Sequence, residues 1–211
     1  MRISTIAEKG IFSGLIEKGI EFFLKNQCNQ INSIKIDIFA TSMQIIKGEI
    51  NKINLKAKEI NYKELLFDEI ELEAENVKIK YKINKKKLVF KNEFIVDFKL
   101  KLSEKSVRKI LTNKNWSWIE NLISKAILNL NSLNNITIEN NEIRVEGFNK
   151  NINDYKQAII GIHTKEGKVY IKDKSCKKNL EIPIDENIYI NKSIIQNNLI
   201  IILAKAKVNI L

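Results

Sequence analysis

The chain is short of almost everything that marks a sharp turn or an active site. Its 211 residues include one proline, seven glycines, one histidine and two cysteines. With so little proline there is no Pro-rich linker, and few turns are announced by glycine. The single histidine, His163, excludes a His-rich metal centre and leaves a catalytic triad almost without a base. Cys28 and Cys176 fit no metal or redox spacing and read as two free thiols. No Walker-type phosphate loop and no GxGxxG fingerprint is present. No apolar run reaches the ~18 residues of a membrane-spanning helix. Glu8, Lys9, Glu17 and Lys18 interrupt the N-terminal segment, so it does not read as a secretory signal. The expectation is a protein that is not an enzyme and takes no cofactor or metal. It is expected in the cytoplasm or peripheral on the inner face of a membrane.

What is abundant is lysine, isoleucine and asparagine. Apolar residues make up 44% of the chain and the formal net charge is +11. An excess of that size suggests an anionic partner. Part of it matches the bias of an AT-rich genome, and arginine, the better phosphate fork, occurs only at Arg2, Arg108 and Arg144. The length suits one domain spanning residues 1–211, with a sizeable core.

Thr5 to Glu8 reads as a capping box. Behind it Phe12, Ile16, Ile20 and Phe23 recur at helical spacing, predicting a helix from about Ile6 to Asn26. Strands follow. Phe90, Phe94, Val96, Phe98, Leu100 and Leu102 hold one phase, predicting a single strand of roughly 40 Å at ~3.3 Å per residue. The stretch from Ile70 to Tyr81 changes phase midway. A bulge at Glu75-Asn76 reconciles the two if they form an antiparallel hairpin around Asn84 to Lys87. Tyr81 then faces Phe90, and Val77 faces Phe94. Beyond the bulge Ala74 faces Val96, Leu72 faces Phe98 and Ile70 faces Leu100. Glu71 opposes Lys99, and Glu69 opposes Lys101. On the other side Ile53, Leu55 and Ala57 pair with Ala74, Leu72 and Ile70. Ser103 is expected to cap a helix through Leu111, and Asn115 a second one carrying Trp116, Ile119 and Ile123. Further strands are expected over Ile136–Ile138, Ile143–Phe148, Ala158–Thr164, Val169–Ile171, Ile188–Ile190 and Leu199–Ile210. The fold class is α+β, with helices laid against one face of a long, highly curved antiparallel sheet.

The acidic residues from Asp68 to Glu75 alternate along one strand, as a lysine-paired, solvated face would. Phe94 and Phe98 lie opposite the lysines, whereas base stacking needs both on one accessible surface, so nucleic acid is not expected. Lys78, Lys80 and Lys82, with Lys85, Lys86 and Lys87 of the following turn, offer a footing on an anionic membrane surface. The plainer alternative is a solubilised sheet face.

Between Ile46 and Ile79 the sequence IKGEINKINLKAKEINYKELLFDEIELEAENVKI resembles the LmeA-like phospholipid-binding family. The matching features are the Lys47-Gly48-Glu49-Ile50 lead-in, the alternating strand, the Tyr62-x-x-Leu65 turn and the strand ending Glu73 to Val77. Leu100 to Asn113 is similar to that family's short helix after its long strand, though Ser106 stands where an acidic residue is usual. The family's actinobacterial members carry a secretory signal, which the N-terminal segment here is not expected to be. The resemblance implies a sheet wrapped around the N-terminal helix, akin to tubular lipid-binding domains, with an apolar groove for phospholipid or another acyl lipid. Its expected lining is Phe12, Ile16, Ile20, Phe23, Leu55, Leu72, Phe94, Phe98, Trp116, Ile119 and Ile123. The alternative is an interaction protein in which these residues form an ordinary packed core beneath a basic docking face.

Overall fold

A computed structural model describes residues 11–82, 87–149, 154–175 and 179–210. The Thr5–Glu8 box, Lys85, Lys86 and Cys176 lie outside the described residues, as do the side chains of Phe12, Lys82 and Lys87. The elements, in order, are α1 (Ile11–Gln27), β1 (Gln30–Phe39), α2 (Ser42–Lys47), β2 (Glu49–Tyr62), β3 (Leu65–Lys82), β4 (Lys87–Phe90), β5 (Phe94–Leu102), α3 (Glu104–Thr112) and α4 (Ser117–Ile123). A π-helical turn (Ser124–Leu128) extends α4. There follow β6 (Asn135–Glu139), β7 (Glu142–Asn149), β8 (Asp154–Lys165), β9 (Lys168–Asp173), β10 (Asn179–Ile182), β11 (Ile188–Gln196) and β12 (Leu199–Val208). The fold is α+β and its paired strands run antiparallel. Where one sheet was expected there are two. The first has the order β1-β2-β3-β5-β12-β11, with β4 on the far part of β3, and the second β10-β9-β8-β7-β6.

The central register is the expected one. Glu69 faces Lys101, Ile70 faces Leu100, Glu71 faces Lys99, Leu72 faces Phe98 and Ala74 faces Val96. Ile53, Leu55 and Ala57 face Ala74, Leu72 and Ile70. The change of phase has a different cause. β2 and β3 keep one register from end to end, and both change step together. Asn76 takes a left-handed φ of 53°, and opposite it β2 moves from Ile50 to Ile53 as β3 moves from Ala74 to Val77. All four side chains stay buried in one cluster.

The extra residue sits on the partner strand. Ile79 pairs with Phe90 and Tyr81 with Leu88, not Tyr81 with Phe90. Residues 75–78 of β3 are therefore spanned by 91–95 of the partner. The expected long strand breaks there into β4 and β5. Asn92 bridges the break with its side chain. Its Oδ1 accepts from the Lys78 amide at 2.7 Å, and its Nδ2 donates to the carbonyls of Asn76 and Glu93 at 2.9 and 3.0 Å. The side-chain amide stands where a strand peptide would, so the ladder loses little at the irregularity.

Turns that glycine would usually make are made by asparagine and charged residues. The two central residues of each tight hairpin have positive φ: Lys63-Glu64, Asn140-Asn141, Glu166-Gly167 and Asn197-Asn198. This is the mirror-image turn whose twist suits paired strands, and asparagine tolerates it better than most side chains. Two of these tips join the sheets. The Asn141 amide donates to Asn198 Oδ1, and the Asn198 amide donates to Asn141 Oδ1, each at 3.2 Å. Nearby, Ile190 N donates to Gly167 O at 2.8 Å, and the Thr164 and Ser193 hydroxyls lie 2.8 Å apart.

Two cores result. α1 packs over β1 to β4 through Ile16 and Ile20. α3, α4 and the π turn fill the space between the second sheet and the far ends of β3, β5 and β12. Ser103 caps α3 as expected, accepting from Ser106 N at 3.4 Å. Asn115 does not cap α4, which has Trp116 at its N-cap position; the Asn115 side chain bonds Glu64 at 2.8 Å instead. α2 and β10 were not foreseen.

Replacing Asn92 with alanine leaves the Lys78 amide and two carbonyls without their protein partner. The expected cost is about 1–2 kcal/mol, read as a lower urea midpoint. An unchanged midpoint means that water replaces the side chain at no cost.

Candidate functional site

The first sheet has two unlike faces. On the face beneath α1, cross-strand rows run Ile53–Ala74–Val96–Ala206 and Leu55–Leu72–Phe98–Ala204. α1 lies over the β1–β4 side, and α3 and α4 lie at the far ends of the strands. Between them a strip of the apolar face along β5 and β12 is only half covered. A cleft of about 550 Å³ opens there. Ile20, Phe23 and Leu24 of α1 form one wall. Leu55, Leu72, Ala74 and Val96 form the floor, and Val208, Asn209 and Ile210 form the far rim. Asn209 is the one polar side chain in the lining.

Aromatic rings build the end of the cleft. Phe23 meets Phe90 edge-on with centroids 5.9 Å apart, and Phe90 meets Phe94 at 5.0 Å. Such contacts hold rings in place beyond what burial alone does, so the wall is preformed. Its volume and apolar lining fall in the range of pockets that take small apolar molecules.

Of the residues expected to line a groove, Ile20, Phe23, Leu55, Leu72 and Phe94 come together here. Ile16 is buried beneath α1 in the core next to the cleft. Phe98 packs against Val169, Ile190 and Ala204 at the junction of the sheets. Trp116, Ile119 and Ile123 belong to the second core, where the Trp116 indole donates to Lys63 O at 2.9 Å. Ala74, Val96, Leu88, Val208 and Ile210 were missed, although the first two share the phase of Leu72 and Phe94. Lys78 and Lys80 are exposed on β3.

The opposite face of the sheet carries charge. A depression of about 650 Å³ is lined there by Lys35, Asp37, Asn54, Lys56, Glu71, Glu73, Asp97 and Lys99 among others. Its charges satisfy one another. Lys56 lies 2.8 Å from Glu71 and 3.1 Å from Glu69; Lys52 lies 2.6 Å from Glu73, Lys205 3.4 Å from Asp97 and Lys35 3.1 Å from Asp37. Such paired charges leave little to recognise a ligand. His163 stacks on its cross-strand neighbour Tyr170 at 5.5 Å, a packing role. Among the described residues no helix is long and apolar enough to cross a membrane.

No protein-family model, no curated protein and no solved structure matches this chain.

Glu69 is the most strongly held acid of the ladder. The Lys101 hydrogen bond, seconded by Lys56, lowers its pKa to about 2, while burial pulls the other way. A depressed carboxylate contributes stability that is fully present above its unfolded value of 4.5 and is lost as pH falls through the folded one. The urea midpoint should therefore fall as the pH is lowered from about 5 to about 2. Glu69→Gln should flatten that part of the profile. An identical slope in wild type and variant places the acid sensitivity elsewhere.

Proposed function

We propose that this protein binds an acyl lipid, in the manner of a phospholipid carrier, in the cleft between α1 and the apolar face of the first sheet. The observation that carries the reading is the cleft itself, walled by three phenylalanine rings and lined by apolar side chains apart from Asn209. A hydrocarbon chain gains roughly 0.8 kcal/mol per buried methylene. A chain of about ten carbons is then held without any fixed polar motif, which accounts for the lack of a catalytic constellation in the sequence. The resemblance of Ile46–Ile79 to LmeA-like phospholipid-binding proteins points the same way. In this reading the first sheet coils about α1 as in tubular lipid-binding domains. The protein works without chemistry, cofactor or metal, and it visits membranes peripherally to load and unload.

Native mass spectrometry of gently purified protein tests the proposal. Wild type should carry co-purifying phospholipid or fatty acid. Val96→Trp, which sets an indole on the cleft floor, should lose that adduct while keeping a native circular dichroism spectrum. A bare mass for wild type contradicts the reading and favours an interaction protein with a filled interior.

A further inference from the structure

We propose that α2 and the residues flanking it form a wedge that inserts into the surface of an anionic bilayer and brings the cleft to the lipid; this rests on the lipid-binding reading above. α2 is only six residues long, yet it is fixed at both ends. Thr41 N donates to Gln44 Oε1 at 2.8 Å, and Gln44 N donates to Thr41 Oγ1 at 3.3 Å. Gly48 closes the other end at φ 74°. A Cβ on Gly48 would stand 2.2 Å from the Ile79 carbonyl oxygen, and Ile79 N donates to Gly48 O at 2.7 Å. The helix is thus seated against β3 so closely that only glycine fits.

This fixed helix buries none of its own residues. Ile46 is 67% exposed and Met43 62% exposed, the two most exposed large apolar side chains among the described residues, and Phe39 just before the helix is 51% exposed. An ordered segment that holds its largest apolar groups in water is built to be covered. The flanks say by what. Lys47 ends the helix, Lys78 and Lys80 project from the adjacent part of β3, and Lys91 N donates to Lys78 O at 2.8 Å. All four lysines are exposed. Glu49 stands across from Lys78, so the group keeps a cationic excess. Exposed apolar side chains with exposed lysines on the neighbouring strand fit anionic lipid headgroups over acyl chains. A second copy of the same surface would set lysine against lysine. The wedge also adjoins the cleft: α1 packs against α2, and Ile79, beside Gly48, pairs with Phe90 of the cleft wall.

Vesicle flotation of the full chain tests this. Binding should be weak to phosphatidylcholine vesicles and strong when phosphatidylserine makes up about a third of the lipid. Met43→Ser with Ile46→Ser should lower the partition at least about tenfold while keeping a native circular dichroism spectrum. Lys78→Glu with Lys80→Glu should lower it too. Serine variants that float like wild type overturn the wedge, as does a wild type that ignores phosphatidylserine. So does a dimer, seen by light scattering, that the serine variants dissolve. The two readings separate in the same samples. Serine variants that retain bound lipid by native mass spectrometry but no longer float leave the cleft intact. A wild type that floats with no lipid inside sinks the cleft reading alone.

Discussion

The central constraint is the register of β2, β3 and β5, which puts the apolar side chains on one face and a charge ladder on the other. Lys56, Glu71 and Lys99 form one cross-strand row, and Glu69 with Lys101 forms part of the next. Each exposed pair contributes little, about 0.2–1 kcal/mol. Their joint effect is on register. A slip of β3 by one residue against its neighbours would put Glu69 and Glu71 on the α1 side and expose Leu72. The ladder thereby reinforces the register that the apolar alternation sets, and the proposed cleft lies on the apolar face.

An apolar face must be covered, and here it is covered unevenly. α1 closes the β1–β4 side, and α3 with the second sheet closes the far ends of the strands. The strip between them is left to half-buried side chains, Val96, Ala206 and Val208. In a protein stabilised only by packing, such a strip costs contacts that a larger side chain would recover. The acyl chain proposed above would complete that packing. The wedge proposed at α2 would repeat the pattern at smaller scale, with Met43 and Ile46 left exposed on a helix capped at both ends.

Much of this was legible in the sequence. Strict alternation fixed the pairing of β3 with β2 and β5, because only one register puts both apolar sets on one face and opposite charges across from each other. The source of the phase change was not legible. The extra residue lies at Lys91 to Glu93, where an asparagine side chain replaces a peptide, and no propensity signals that exchange. α2 is too short for helical periodicity, though Thr41 followed by Gln44 and the glycine at 48 were its available marks. The cleft was half readable. Ile20, Phe23, Leu55, Leu72 and Phe94 carry the right phase, but Trp116, Ile119 and Ile123 look the same by pattern and belong to another core. Hydrophobicity says that a residue is inside; it does not say inside what.

The most direct test is a nuclear Overhauser experiment with a uniformly ¹³C-labelled fatty acid bound to methyl-labelled protein. The account predicts contacts from the acyl chain to the methyls of Leu72, Val96 and Val208, with none to Ile119 or Ile123. Contacts confined to the second core, or no intermolecular contacts at saturating ligand, would contradict it.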